Sequence, residues 1–96
     1  MSPLKRKKLS KIRSELDKLD NSLIEIIKKR TNLVKKVLAL KEKKNQIVDQ
    51  KRIKKILNNI KKKSLKNNID PKITNRIWKN MIWSYIDFER RNFKRK

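Results

Sequence analysis

Between residues 9 and 43 the chain runs without a proline or a glycine, and its apolar residues return at steps of three and four. Ile12, Leu16, Leu19, Leu23, Ile26, Ile27, Leu33, Val34, Val37 and Leu40 follow the 3.6-residue period of an amphipathic helix, not the two-residue period of a strand. The pattern predicts one helix over the stretch, with Ser10 as a candidate cap. At 1.5 Å per residue it would be roughly 50 Å long, more than the width of a compact domain made from so short a chain. Part of it is therefore expected to project beyond its own chain.

Asn45, Gln46, Ile47 and Val48 make a short connection, and Asp49 is placed to cap a second helix over residues 50–67, apolar at Ile53, Ile56, Leu57, Ile60 and Leu65. A third helix over residues 71–93 is the most clearly signalled, because Asp70 can cap it and Pro71 stands at the first helical position, where a missing N–H is harmless. Its apolar side is Ile73, Ile77, Trp78, Met81, Ile82, Tyr85, Ile86 and Phe88. The expected fold is all-α, one long and two shorter helices, with a frayed basic lead-in at residues 1–8, a helical domain at 9–93 and a basic tail at 94–96.

Composition sharpens this in two ways. With 96 residues a single core is marginal, so a dimer is expected on size alone. Lys and Arg number 31 against 9 Asp and Glu, a net charge of +22, which invites a nucleic-acid reading. The lysines, however, are spread among Ile, Leu and Asn along the whole chain instead of being gathered on one arm, as on a solvated cationic surface; nucleic acid is not the expected partner. A general field attracting anions remains.

Several chemistries are absent. No cysteine or histidine is present, which removes disulfides, thiolate chemistry, soft-metal sites and imidazole acid–base catalysis. No glycine is present either, so no phosphate-cradling glycine loop exists, and Asp17, Asp20 and Glu25 sit among lysines as ordinary surface partners, not metal ligands. No cofactor or metal is expected. No apolar run approaches a membrane span and the opening lacks a secretory apolar segment, so the expected location is the cytoplasm.

Three cations on the first helix can be placed by geometry. Arg30 and Lys41, eleven residues apart, return to within about 20° of one face, roughly 16 Å apart along the axis, close enough for two long side chains to meet around a small anion. Arg13 points about 100° away from Arg30. If Arg13 serves the same site, the simplest arrangement brings it from a second copy of the helix packed antiparallel.

The stretch IRSELDKLDNSLIEIIKKRTNLVKKVLALK, residues 12–41, resembles the opening helix of the all-helical chorismate mutases, with Arg13, Leu19-Asp20, Arg30 and Lys41 in the family's order. Ile47-Val48-Asp49 with Arg52 resembles the family's loop and second-helix start, and RIWKNMIWSYIDFE, residues 76–89, its third helix. The resemblance implies an intertwined homodimer with shared active sites that rearranges chorismate to prephenate, a step toward phenylalanine and tyrosine. It implies that Arg13 crosses from the partner and, with Arg30, binds the two carboxylates, while Lys41 reaches the ether oxygen of the breaking bond. Asp49 would accept from the substrate hydroxyl, Arg52 would support the carboxylate region, and Tyr85 and Glu89 would close the pocket.

Two positions depart from the family pattern. Ile53 stands where many members carry a glutamate for the substrate hydroxyl, which removes a polar contact and leaves orientation to Asp49. Glu89 stands where many carry glutamine, so it can donate to the ether oxygen only while protonated, and turnover is expected to fall as pH rises. Two other readings compete. Isochorismate pyruvate lyases share the fold and the cations, and Trp83, Tyr85 and Ile86 are similar to theirs; a small basic helical nucleic-acid binder would instead show salt-dependent binding and no turnover.

Overall fold

A helix needs its first N–H groups satisfied, and this chain does so three times with a short polar side chain. Ser2 Oγ accepts from Lys5 N at 3.3 Å, Asp49 Oδ1 from Arg52 N at 3.0 Å, and Asp70 Oδ1 from Lys72 N at 2.9 Å. These caps open α1 (Pro3–Leu40), α2 (Gln50–Lys66) and α3 (Pro71–Asn92). The computed structural model describes residues 1–94, and no strand occurs among the described residues. The chain is thus all-helical, with three helices and a short 3-10 turn, Lys44–Gln46, before α2.

Two boundaries differ by more than one residue from the sequence expectation. The lead-in is not frayed: Ser2 and Pro3 form the same cap-plus-proline start as Asp70 and Pro71, and α1 begins six residues before residue 9. At its other end α1 stops at Leu40, not residue 43, with Lys41 N bonding back to Leu38 O at 3.1 Å. Lys41 therefore stands just past the helix. Of the expected basic tail at 94–96, Lys94 is described and residues 95 and 96 lie outside the described residues.

The chain divides into two compact units, one of residues Met1–Leu33 and one beginning at Val34. The first is helix alone. No residue of α1 is buried, and its apolar stripe stands open: Leu19 is 61% exposed, and Ile12, Leu16, Leu23 and Ile26 are also more than half exposed. Soluble proteins rarely leave so continuous an apolar face in water.

The second unit is built on the packing of α2 against α3. The half-buried face of α2, Ile53, Ile56, Leu57 and Ile60, matches the expected apolar side, and so does that of α3, where Met81, Ile82, Tyr85 and Phe88 are half-buried and Ile86 is buried. Leu65, Ile73 and Ile77, expected on those same faces, are more than half exposed. The turn between the helices needs one left-handed residue, and without any glycine the chain uses Asn68, at φ 56°. Its neighbour Ile69 N bonds Ser64 O at 2.9 Å and Asn68 N bonds Leu65 O at 3.3 Å, which closes α2 with the paired bonds of a Schellman motif. Next to the turn, Ser64 Oγ and Thr74 Oγ1 are 2.6 Å apart in a buried hydroxyl contact, with Ser64 Oγ also 2.6 Å from Ile60 O, so the polar atoms stitching the two helices are satisfied.

The core itself is thin. Ile47 and Ile86, each 4% exposed, are the buried apolar residues among the described residues. At about 1.5–3 kcal/mol per fully buried aliphatic side chain, such a core is slender for a chain of this length.

Candidate active site

The site begins where α1 gives out. Lys41, freed from helical geometry, sends its side chain to α3, where Nζ lies 2.8 Å from Glu89 Oε1. The same ammonium is 3.5 Å from the carbonyl oxygen of Ile47, a longer contact. Glu89 is held on the inner side of α3 beside buried Ile86, and its side chain is 7% exposed against 18% for Lys41. A nearly buried carboxylate facing a partly buried ammonium is a charge-assisted hydrogen bond in a poor dielectric, stronger than a surface pair. By contrast the Arg91–Asp87 pair, at 2.9 Å with both side chains about two-thirds exposed, is an ordinary i, i+4 surface contact.

Lys41 and Ile47, six residues apart, are brought to Glu89, 48 residues beyond Lys41, and further candidates flank them. Tyr85, half-buried, precedes Glu89 by one turn of α3 and shares its face. Asp49 ends the same connection that carries Ile47, but its Oδ1 is engaged in capping α2 through Arg52 N. Arg52 is exposed one turn into α2, and Ile53 is half-buried beside it, offering an aliphatic surface where a carboxylate would have stood. Arg13 and Arg30 lie on the Met1–Leu33 unit, both exposed, and neither makes an ion pair among the described residues. Arg13 borders a groove of about 340 Å³ together with Arg6, Ser10 and Asp17.

Two contributions were missed in the sequence. The Ile47 carbonyl approaches Lys41, and Gln46 Oε1 accepts from both Glu42 N at 2.8 Å and Lys43 N at 2.9 Å. Backbone partners leave no mark in a residue pattern, and the glutamine side chain that braces the loop stands six residues past the end of α1. Among the described residues no group of acidic, histidine or cysteine side chains could hold a metal ion, and no helix is long and apolar enough to cross a membrane.

The model of the family chorismate mutase type II matches residues 12–90, which takes in every candidate named above. The chain belongs to the chorismate mutase type II family. Membership supports a chorismate mutase type of function, an isomerase, with chorismate as the implied substrate. No curated protein and no solved structure matches the chain. For a chorismate mutase type II chain, the Lys41–Glu89 pair joins two side chains at the positions that the sequence resemblance linked to the ether oxygen of the substrate.

Proposed function

We propose that this protein is a chorismate mutase, rearranging chorismate to prephenate in a homodimer whose two sites each draw on both chains. The observation that carries the reading is the Lys41–Glu89 contact, 2.8 Å long and nearly buried, at the end of the long helix. The reaction is a unimolecular pericyclic rearrangement that needs no nucleophile, metal or general base, so a chain without His or Cys is suited to it. What it requires is a folded substrate and a stabilised charge. Arg13 from the partner and Arg30 would grip the two carboxylates with planar bidentate contacts, holding the side chain over the ring. As the C–O bond stretches, negative charge gathers on the ether oxygen, and donors already aimed there favour the transition state over the ground state.

The geometry suits Lys41 and Glu89 for that task. An ammonium has three N–H groups; one is directed to Glu89 and one toward Ile47 O, which leaves a third for the ether oxygen. With Oε1 of Glu89 engaged by Lys41, Oε2 is the oxygen left to face the substrate. Asp49, its Oδ1 already capping α2, would meet the substrate hydroxyl with its second oxygen, and Arg52 and Tyr85 would line the carboxylate and ring sides.

The dimer is supported by α1, whose apolar stripe is exposed from Ile12 to Leu33 and too long for the chain's own core to hide. Sedimentation at decreasing concentration should show loss of activity with dissociation; a folded, active monomer at nanomolar concentration would contradict it. The activity test is loss of chorismate absorbance with purified protein, with prephenate as product. Isochorismate offered in parallel, with salicylate and pyruvate measured, separates the lyase of the same fold, and salt-dependent binding of nucleic acid without turnover of either would support the binding protein instead.

A further inference from the structure

Lys41 has left the helix, yet its ammonium must stay within a fraction of an ångström of its target for the chemistry to profit. Something must hold a lysine that stands in a loop. The two peptide N–H groups that follow it, those of Glu42 and Lys43, lie past the end of α1, and both donate to the single side-chain oxygen of Gln46 instead of to a carbonyl four residues back. Gln46 N in turn bonds Lys43 O at 3.0 Å, which closes a small ring on the residues just after Lys41. The far side of that ring is anchored by Ile47, buried to 4% exposure, whose carbonyl faces Lys41 Nζ.

We infer that Gln46 is a positioning residue for Lys41: by capturing the Glu42 and Lys43 N–H groups it fixes both the stem of Lys41 and the Ile47 carbonyl, and so keeps the ammonium on Glu89. The brace explains why α1 stops at Leu40 although no proline or glycine follows, since the Gln46 oxygen replaces the helical acceptors for the next two N–H groups. The acceptor oxygen matters and not the bulk of the side chain, and this makes the role separable by isosteres. Methionine matches the length of glutamine without the acceptor; glutamate keeps the acceptor and lacks the amide donors.

The kinetic arm rests on the mutase reading, and a spectroscopic arm does not. Q46M should lower kcat by between about ten and about a hundredfold with a much smaller change in KM, because a misplaced Lys41 weakens transition-state contacts more than carboxylate binding. Q46E should keep kcat within about threefold of wild type, the acceptor being restored. In parallel, the ammonium proton–nitrogen correlation of Lys41, assigned by its loss in K41R, should show slowed exchange from its bond to Glu89 in wild type and Q46E and lose it in folded Q46M. Unchanged kcat and an unchanged Lys41 signal in Q46M would overturn the role, as would equal loss in Q46M and Q46E. If the wild type fails to turn over chorismate while the Lys41 signal still depends on the acceptor at 46, the mutase reading fails and the brace stands.

Discussion

Replacing Lys41 with methionine leaves the Glu89 carboxylate in place with its ion-pair partner gone. The side chain is 7% exposed, so water can compensate little, and removal of one partner from a buried pair typically costs about 3–5 kcal/mol. K41M should therefore lose about 3 kcal/mol. E89Q should lose less, about 1–2 kcal/mol, because the amide oxygen still accepts from Lys41 and the ammonium, 18% exposed, reaches solvent. The general field predicts the opposite order. In a chain of net charge +22, removing a lysine relieves repulsion and removing a glutamate adds to it, so bulk electrostatics would make K41M the more stable variant. Urea unfolding followed by far-ultraviolet circular dichroism, at one protomer concentration and about 0.15 M salt, ranks the two. The double variant K41M/E89L should recover much of the loss, since it removes both charges. A K41M protein within about 0.5 kcal/mol of wild type, or more stable than E89Q, would refute the local pair as an energetic unit.

Three further outcomes are expected. E89Q keeps an acceptor for Lys41 and supplies an amide donor, so at saturating chorismate its kcat near neutral pH should equal or exceed that of the wild type; an inactive, folded E89Q would remove Glu89 from the donor role. Mixing R13A with R30A chains should form heterodimers with one intact site, giving about a quarter of wild-type activity at random pairing, while activity no higher than either variant alone would exclude a crossing Arg13. At Asn68, whose φ is 56°, valine should cost about 1–2 kcal/mol in urea unfolding and glycine should be neutral or stabilising; a tolerated valine would mean that the turn rearranges.

Much of the helical layout was legible because local chemistry decides it. Asp49, Asp70 and Pro71 marked the starts of α2 and α3 and do cap or open them. Ser2-Pro3 carried the same signal as Asp70-Pro71 and was passed over because the basic residues that follow dilute the apolar period, which does not prevent a helix. The end of α1 was not legible in the same way. Lys41, Glu42, Lys43 and Lys44 are acceptable helix residues, and what stops the helix is a glutamine oxygen competing for two N–H groups. Lys41 and Glu89 were found through their order and spacing in a family pattern, whereas their direct contact needed the folded chain. Gln46 and the Ile47 carbonyl escaped because one binds only backbone N–H groups and the other is itself a backbone group.

The bare face of α1 also has a consequence for how output scales with supply. Under the proposed pairing, a chain whose first helix has no fully buried residue holds an incomplete site until it meets another. Well below the dissociation constant the number of pairs rises with the square of the number of chains, so a twofold change in synthesis becomes about a fourfold change in flux, and near saturation the amplification fades. Abundance would then serve as a control dial, steep at low expression and gentle at high, without any additional ligand to turn it.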